Sequence, residues 1–412
     1  MRVYLATHGC RANQYDSAAV RAMLEAGGHA IVAAPEEADT AVFNSCAVTA
    51  EAEADLRQAV RRAARCNPAL RTLVMGCAAA LDRGAIAALP GVTQVVGGAP
   101  LAEIARALRV DPALAAARPS AQHAARALLR IQDGCDEHCT FCATTLARGR
   151  ARSRPVAELV AEAGRLAAHH AEIVLTGVHI GSYGADSGTS LAALLAALVR
   201  EVPDVRFRLS SVEATEVDDP LAELLTGDAR RVAPWLHAPL QSGSDAVLKR
   251  MGRHWYTAAS YARAVERLAA RAPLLGLGAD LIAGFPGESA ADHGATLAMV
   301  AALPFTALHV FSYSEREGTA AARLPGALPR AVAMARAAEL RAAGEAKAAA
   351  HRLARAGGAA DVIVLGRAEG RRGITEDHLT VEMRDRSLPR GARVAAVLEP
   401  EGGALFARTA LR

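Results

Sequence analysis

The sequence predicts an α/β protein with three parts: an N-terminal parallel α/β domain, a central partial (β/α) barrel and a small C-terminal β-barrel. With 412 residues, the chain is too long for one compact domain of typical size. Over most of its length, short apolar runs alternate with amphipathic helical patterns, which is typical of parallel sheets. The final stretch instead contains short alternating segments between glycine and proline turns, which predicts antiparallel strands.

The N-terminal domain is predicted to span residues 1–110. Its strands are expected at 3–6, 41–44 and 73–75, and its helices at 17–25 and 49–65. Each of the three apolar runs ends near a glycine or a cysteine. The following segment, 111–125, contains Pro112, Pro119 and Ser120, which interrupt the periodicity, so we predict a linker there.

The central domain is predicted to span residues 126–356. Its six candidate strands are 128–131, 172–176, 205–210, 235–239, 275–284 and 307–312, with helical patterns between them. Six strand–helix units indicate a full or partial (β/α) barrel, in which chemistry lies at the C-terminal ends of the strands. A long helix rich in alanine and arginine follows Pro329 and ends near residue 356. Residues 357–412 are then predicted to form the small β-barrel.

Composition restricts the possible classes of protein. The chain is 52% hydrophobic and carries 47 Lys and Arg against 43 Asp and Glu, which excludes a disordered chain and does not by itself demand a nucleic-acid partner. The sequence contains no uninterrupted apolar run long enough to span a bilayer, and MRVYLATHGC does not resemble a signal peptide. We therefore expect a cytoplasmic protein, in which the seven cysteines serve as ligands or catalysts rather than disulfides.

Three cysteines form a C-x3-C-x2-C pattern directly after the first barrel strand. Cys135, Cys139 and Cys142 can bind three irons of a cubane cluster and leave the fourth iron open for a substrate or cofactor. A structural zinc site is the alternative, with His138 as its fourth ligand. The spacing and the position of the loop favour the iron–sulfur cluster.

Three other cysteines follow three strands of the N-terminal domain. Cys10, Cys46 and Cys77 are expected at the same end of one parallel sheet, where loops form ligand sites. Taken one at a time, each is better explained as a buried structural cysteine, but three at corresponding positions predict a shared metal centre. Cys66 lies inside a helical pattern and is predicted to have no such role.

Together these motifs resemble the methylthiotransferases of the radical S-adenosylmethionine (SAM) superfamily. The resemblance covers essentially the whole chain, including a C-terminal TRAM-like domain at 357–412. It rests on THGCRANQYDS, FNSCAVT, QDGCDEHCTFC, ARGRARSRP, EIVLTGVHIGSYG, HAPLQSGSDAVLKRMGR, DLIAGFPGE and HVFSYSEREGTAA. One departure is ATTLARGR after Cys142, where the family commonly has a proline before Ala-Arg-Gly.

The resemblance implies two [4Fe-4S] clusters and SAM as cofactors. One cluster, on Cys135, Cys139 and Cys142, would cleave SAM reductively to a radical that removes hydrogen from an adenine carbon. A second cluster, on Cys10, Cys46 and Cys77, would deliver the methylthio group. The implied partners are a tRNA substrate, an electron donor such as flavodoxin or ferredoxin, and a sulfur source, with no membrane.

The branch of the family decides the substrate. His179 and Gly181 in LTGVHIGSYG, together with Gln14 and Tyr15, most resemble the branch that modifies N6-threonylcarbamoyladenosine (t6A) beside the tRNA anticodon. The alternatives are the branches that modify isopentenylated adenosine of tRNA or an aspartate of ribosomal protein S12. Outside the family, a two-cluster electron carrier and a zinc-containing RNA-binding module remain as rivals.

Residues at the ends of the central strands are candidates for SAM contacts. They are Thr176, Gly177, Ser211, Glu213, Gln241 and Ser242, each at or just after the C-terminal end of a predicted strand. For tRNA, the alternating arginines Arg148, Arg150, Arg152 and Arg154 are the best candidates for phosphate contacts, with a solvated charged loop as the alternative.

Overall fold

The computed structural model describes residues 1–47, 49–272, 274–367 and 371–409. The strands are β1 Arg2–Thr7, β2 Ala30–Val32, β3 Thr40–Ser45, β4 Arg71–Gly76, β5 Val92–Gly97, β6 Ala127–Arg130, β7 Gln132–Asp133, β8 Arg152–Ser153, β9 Glu172–Thr176, β10 Arg206–Leu209, β11 Trp235–His237, β12 Gly276–Ala283, β13 Ala307–Ser312, β14 Ala359–Arg367, β15 Arg371–Ile374, β16 Thr380–Met383, β17 Arg393–Glu401 and β18 Ala404–Thr409. The helices are α1 Arg11–Ala26, α2 Ala50–Cys66, α3 Cys77–Leu81, α4 Leu101–Leu108, α5 Thr144–Arg148, α6 Val156–Ala167, α7 Leu191–Glu201, α8 Asp219–Thr226, α9 Asp245–Arg250, α10 Ala258–Arg271, α11 Ala290–Ala302 and α12 Arg330–Arg355. Within the described part of the chain, no helix is both long and apolar enough to cross a membrane.

The chain forms two compact units that differ from the predicted domains. The first unit comprises Met1–Ser120, Gln132–Arg152 and Ser314–Ala322, and the second comprises Ala121–Ile131, Ser153–Tyr313 and Arg323–Arg412. The loop with Cys135, Cys139 and Cys142 therefore belongs to the same unit as Cys10, Cys46 and Cys77, although the sequence assigns it to the central domain.

The first unit is built on a five-stranded parallel sheet with the strand order β2-β1-β3-β4-β5. All six residues of β3 are buried, as expected for the middle strand of a sheet that is covered on both faces. The α2 helix begins where the Thr49 hydroxyl accepts a hydrogen bond from the Ala52 amide. The predicted linker is partly wrong: Leu114 packs against one core of this unit, within a one-turn helix at Pro112–Ala116.

The second unit contains six parallel strands in chain order. Strands β6, β9 and β10 form one sheet, β11, β12 and β13 form another, and parallel bridges from Phe207 to Val232 and from Ser211 to His237 connect the two. Among the described residues, no ladder joins β6 to β13, so the barrel is partial. The prediction of six strands is confirmed, and the ends of β9 and β13 agree with it to the residue.

Alternate residues of these strands face the helices. On β12, Leu277, Ala279, Leu281 and Ala283 belong to the main hydrophobic core with the helices. The intervening residues, Asp280 among them, therefore face the concave side of the barrel, because strand side chains alternate between faces. The same alternation places Arg206 and Arg208 of β10 on the concave side, since Phe207 and Leu209 join the core.

A buried ion-pair network fills the N-terminal end of the concave face. Glu172 accepts hydrogen bonds from Arg206 Nε at 2.6 Å and from Arg208 Nε at 2.8 Å, and all three side chains are fully buried. Burial alone would raise the pKa of Glu172, but Arg208 and then Arg206 outweigh it, so the pKa lies well below the usual range. The network therefore depends on an ionised carboxylate.

We predict that Glu172→Ala destabilises the protein by about 3–5 kcal/mol, because it removes the carboxylate that two buried guanidinium groups share, although Arg206 keeps its contact with Asp361 at 3.3 Å. The matched control is Glu201→Ala, which removes one partner of the exposed Arg200–Glu201 pair and should change stability by less than about 0.5 kcal/mol. Urea unfolding of both variants measures the difference. Because the folded-state pKa is lowered, the stabilisation is complete above the ordinary glutamate pKa and declines as the pH falls below about 5. Equal unfolding midpoints for the two variants would contradict this assignment.

The C-terminal residues form a closed barrel with the strand order β14-β15-β16-β18-β17. The predicted small β-barrel is confirmed, with one difference: β16 and β18 pair in parallel, whereas the other four ladders are antiparallel. This barrel contacts the ion-pair network at the N-terminal end of the concave face, where Arg208 Nη2 donates to the carbonyl of Thr375 at 2.9 Å. The last residues of the predicted domain, 410–412, lie outside the described residues.

Candidate active site: two sets of cysteines

Three cysteines lie at the C-terminal edge of the first unit's sheet. Cys10 precedes α1 just after β1, Cys46 follows β3, and Cys77 is the first residue of α3 just after β4. Because β1, β3 and β4 are adjacent and parallel, their C-terminal ends meet at one edge. Cys46 and Cys77 are buried and Cys10 is exposed. The structure thus places the three cysteines at one edge of the sheet, as the sequence predicts.

The side chain of Asn13 links the three cysteine loops. It is fully buried, and its Oδ1 lies 3.9 Å from the Sγ atoms of both Cys10 and Cys77. Its Nδ2 donates to the carbonyl of Ser45, next to Cys46, at 2.8 Å. The sequence analysis did not identify Asn13. Its position in the first turn of the helix that starts after Cys10 could have indicated that it lies beside the cysteines.

Arg148 is buried beside the same cysteines. Its Nε donates to Cys77 Sγ at 3.2 Å, and its Nη2 donates to Asn13 Oδ1 at 2.7 Å and to Asp16 Oδ2 at 2.8 Å. Its Nη1 donates to Asp133 Oδ1 at 2.9 Å. The prediction of a phosphate contact is therefore wrong for Arg148, because all three guanidinium nitrogens bind protein groups and only 2% of the side chain is exposed.

The donor set of this edge fits an iron–sulfur cluster. Burial raises the pKa of the Cys77 thiol to about 11, against the opposing effect of Arg148. Without a metal the thiol thus stays protonated, whereas coordination to a metal deprotonates a thiol outright. A guanidinium that already donates to the sulfur would then balance part of the thiolate charge, and such hydrogen bonds are typical of cluster sites.

The second set of cysteines lies on a tight loop of the same unit. The amide of Cys142 donates to the carbonyl of Cys139 at 3.1 Å, which closes a turn between these two residues. The amide of Glu137 donates to Cys135 Sγ at 3.4 Å, and the Cys135 amide donates to the Gly149 carbonyl at 3.0 Å. All three thiols are partly exposed, while His138 is exposed to solvent. The loop fits a cluster that leaves one iron open to a ligand.

Gly134 is required by the backbone of this loop. Its φ is +75°, and a Cβ there would overlap the carbonyl oxygen of Arg150. We predict that Gly134→Ala displaces the loop and abolishes assembly of the cluster on Cys135, Cys139 and Cys142. Gly149→Ala is a matched control, because its φ is similar at +71° but its Cβ would meet open space.

Iron content and SAM cleavage after anaerobic reconstitution test this prediction. Gly149→Ala should keep both properties near the wild-type level, because its Cβ would meet open space and only the backbone cost remains, about 1–3 kcal/mol for a conformation with φ +71° and ψ −154°. If Gly134→Ala also retains SAM cleavage, the overlap with Arg150 does not control the geometry of the loop.

The six predicted SAM-contacting residues lie at the C-terminal ends of three adjacent strands. Thr176 and Gly177 end β9, Ser211 and Glu213 follow β10, and Gln241 and Ser242 follow β11. Gln241 has a φ of +62°, an uncommon conformation for a residue other than glycine, which the structure holds by a parallel bridge to Leu281. The structure therefore brings these residues to one end of the barrel.

The side chains of Glu213 and Ser242 already have protein partners. The Glu213 carboxylate accepts hydrogen bonds from Arg253 Nη2 and, at 3.1 Å, from Trp255 Nε1. The Ser242 hydroxyl lies 3.3 Å from that of Thr296 and accepts from the Ser244 amide at 3.2 Å. Sequence reasoning missed Arg253 and Trp255, which orient the carboxylate of Glu213.

A further pair occupies the same end of the barrel. His179 Nε2 lies 2.7 Å from Glu216 Oε1, between the loops that follow β9 and β10. A Cβ at Gly181 would overlap the carboxylate of Glu216, so glycine at this position makes room for the pair. The motif LTGVHIGSYG thus contributes a histidine and the space for its partner.

The remaining predicted phosphate-binding arginines differ in exposure. Arg150 and Arg152 are exposed, although Arg150 Nε lies 3.5 Å from Asp136 Oδ1. Arg154 does not fit the prediction, because its Nη2 donates to the buried carboxylate of Glu162 at 2.7 Å and its Nη1 donates to the Arg130 carbonyl at 2.9 Å. The first and last arginines of this segment therefore bind protein groups, and the two between them face the solvent.

Two family models match the chain. The model described as uncharacterized protein family UPF0004 matches residues 2–98, which include Cys10, Cys46 and Cys77. The model of the radical SAM superfamily matches residues 129–300, which include Cys135, Cys139 and Cys142. Each set of cysteines therefore lies within one matched region.

The chain is similar to curated proteins over most of its length. It is 36% identical to the threonylcarbamoyladenosine tRNA methylthiotransferase MtaB of Rickettsia prowazekii, over 79% of each chain. It is 36% identical to the protein of the same name from Bacillus subtilis, over 77% of this chain and 74% of that one. It is 38% identical to the tRNA-2-methylthio-N(6)-dimethylallyladenosine synthase of Parafrankia sp., over 79% of this chain and 70% of that one.

The fold is similar to a solved radical SAM enzyme. The methyltransferase TsrM from Kitasatospora setae superposes with a TM-score of 0.57 at 16% identity, over 76% of this chain and 74% of that one. This likeness concerns the fold alone. Together with the two family models and the curated relatives, the two sets of cysteines identify the chain as a member of the radical SAM methylthiotransferase family, enzymes that work with SAM and a [4Fe-4S] cluster.

Proposed function

We propose that the protein inserts a methylthio group at C2 of N6-threonylcarbamoyladenosine, the adenosine next to the anticodon of tRNA. The observation that carries the proposal is the presence of two sets of three cysteines within one compact unit of a chain that resembles the MtaB proteins. A single set would suffice to cleave SAM, whereas methylthiolation also needs a place from which sulfur is delivered.

In this proposal Cys135, Cys139 and Cys142 hold the cluster that binds SAM, and Cys10, Cys46 and Cys77 hold a second [4Fe-4S] cluster. When bound, the first cluster supplies the electron that cleaves SAM, and the second delivers the methylthio group. The residues of this chain bind and orient these groups: Arg148 and Asn13 fix the second set of sulfurs, and the strand-end residues of the barrel form the contacts to SAM.

The contacts to SAM are proposed for Thr176, Gly177, Ser211 and Gln241, at the C-terminal ends of three strands. Glu213 and Ser242 remain part of the proposed pocket, with Arg253 and Trp255 orienting the Glu213 carboxylate. For tRNA, we retain Arg150 and Arg152 as proposed phosphate contacts, because both are exposed. A small one-electron donor protein, such as flavodoxin or ferredoxin, and a separate sulfur source complete the proposed cytoplasmic reaction.

A second candidate substrate is isopentenylated adenosine of tRNA. It is favoured by the 38% identity to the Parafrankia dimethylallyladenosine synthase, which exceeds the 36% identity to either of the two MtaB proteins described above. Against it, the LTGVHIGSYG motif contributes a polar His179–Glu216 pair at the mouth of the barrel. This end of the barrel suits a polar nucleoside substituent better than an isoprenoid group.

Complementation of a bacterial strain that lacks methylthio-t6A tests the proposal. Mass spectrometry of tRNA nucleosides should show methylthio-t6A when the wild-type protein is expressed and not when the Cys46→Ala variant is expressed. Appearance of methylthio-isopentenyladenosine in its place would show that the substrate is isopentenylated adenosine instead. Methylthiolated S12 without a tRNA product would exclude tRNA as its substrate.

A further inference from the structure

A histidine–aspartate–histidine cluster lies on the concave face of the barrel, outside the cysteine sites. Asp280 of β12 accepts hydrogen bonds at the same oxygen, Oδ1, from His237 Nε2 at 3.0 Å and from His309 Nδ1 at 3.3 Å. The three ligand atoms lie within 4.8 Å of one another. Each residue comes from a different neighbouring strand: β11, β12 and β13.

This cluster lies on the concave face, between a buried ion-pair network and the C-terminal ends of the strands. Below it, towards the N-terminal ends of the strands, the buried Glu172–Arg206–Arg208 network fills the barrel. The C-terminal barrel closes that end further, because His378 stacks on Trp235 with a centroid distance of 4.1 Å. Exposure of the side chains rises across the cluster, from 7% for His237 through 26% for Asp280 to 61% for His309.

The hydrogen bonds of the cluster determine which ring nitrogen of His309 is available to a ligand. Although burial opposes it, the hydrogen bonds from His237 and His309 lower the pKa of Asp280 well below its usual range. An ionised carboxylate only accepts hydrogen bonds, so Nδ1 of His309 carries a proton and donates it. When the ring is protonated, its other nitrogen is an N–H donor on the exposed side.

We propose that His309, held by Asp280, binds the carboxylate of the threonylcarbamoyl group of t6A, and so selects this nucleoside over neutral N6-substituted adenosines. The inference rests on the proposed function and adds to it the residue that recognises the substituent. Asp280 lies three residues before the end of β12, about 10 Å below the strand ends where radical chemistry is expected. An adenine whose C2 is at the strand ends can extend its N6 substituent into the barrel toward that depth.

A divalent cation is the other ligand that two histidines and an aspartate can bind. We favour the anion, because a metal would need the lone pairs of the same two nitrogens that here donate N–H to Asp280. A metal ion at this cluster would therefore displace both hydrogen bonds to Asp280.

The test compares two anticodon stem-loop RNAs, one with t6A and one in which the threonyl carboxylate is replaced by its amide. Binding to the reconstituted wild-type enzyme is measured by fluorescence anisotropy, independently of turnover. We expect about ten- to a hundredfold tighter binding of the carboxylate RNA, the range for a hydrogen bond to a charged group. His309→Gln, which keeps a neutral donor, should bind both RNAs equally.

His169→Gln is the matched control, since His169 is exposed at the end of α6. This variant should keep the wild-type preference. Asp280→Asn should lose the preference as His309→Gln does, with circular dichroism confirming that it is folded. A wild-type enzyme that binds both RNAs equally, a His309→Gln variant that still discriminates, or discrimination that appears only with added Zn²⁺ or Mn²⁺ would overturn the proposal. If the wild type discriminates but forms no methylthio-t6A, the proposed function fails and the recognition by His309 stands.

Discussion

Replacing Cys135 and Cys46 with alanine, one at a time, is expected to separate the two halves of the reaction. The Cys135→Ala variant should lose SAM cleavage, because the cluster that donates the electron loses one of its three ligands. The Cys46→Ala variant should still cleave SAM but form no methylthiolated product. In each variant, the iron content should fall from about eight to about four atoms per chain.

The measurement combines iron analysis, SAM cleavage and product formation on the same reconstituted samples. Cys66→Ala is the matched control, because Cys66 is exposed at the end of α2, near Glu36 rather than at the cluster edge, and should retain all three properties. If Cys46→Ala keeps the full iron content, Cys10, Cys46 and Cys77 do not hold a cluster. If it loses SAM cleavage as well, the two sets of cysteines do not act separately.

Arg148→Met is expected to reduce the free energy of unfolding of the protein by about 3–5 kcal/mol. The substitution removes the cation from a buried site and breaks its ion pair with the carboxylate of Asp16, which is 1% exposed. It also removes the hydrogen bond from Nε to Cys77 Sγ. Arg148→Lys should lie between the wild type and Arg148→Met, because it keeps the charge but not the planar fork of donors.

Arg152→Ala provides the control for Arg148→Met, since Arg152 lies in the same segment and is exposed. It should change the unfolding free energy by less than about 0.5 kcal/mol, but weaken tRNA binding and reduce its salt dependence. Denaturant unfolding and tRNA binding at several salt concentrations measure both effects. If Arg148→Met weakens tRNA binding while its unfolding midpoint is unchanged, Arg148 contacts phosphate after all.

Much of the fold could be predicted from the sequence because the strand periodicity is strong. The apolar runs at 172–176 and 307–312 correspond to β9 and β13 residue for residue. The cysteines at the ends of three such runs were expected at one edge of a sheet, since parallel strands share their C-terminal ends. The parallel pairing of β16 with β18 was not predictable, because it depends on how the small barrel closes rather than on local pattern.

Side-chain partners across distant segments could not be predicted in the same way. Arg148 and Arg150 occupy the same type of position in the sequence motif, yet one is buried against Asp16 and the other is exposed. The sequence shows their regular spacing but not which of them bind protein groups. The His237–Asp280–His309 cluster was missed for a related reason: its members come from three strands and contact one another only after the strands are registered side by side.

Product analysis with purified, anaerobically reconstituted protein tests directly whether the protein methylthiolates t6A of tRNA. The enzyme is given SAM, a reductant and a sulfide source with tRNA that carries either t6A or isopentenyladenosine, and the nucleosides are identified by mass spectrometry. We expect methylthio-t6A from the first tRNA and no methylthiolated product from the second. Methylthio-isopentenyladenosine from the second tRNA, with t6A unchanged in the first, would contradict this expectation.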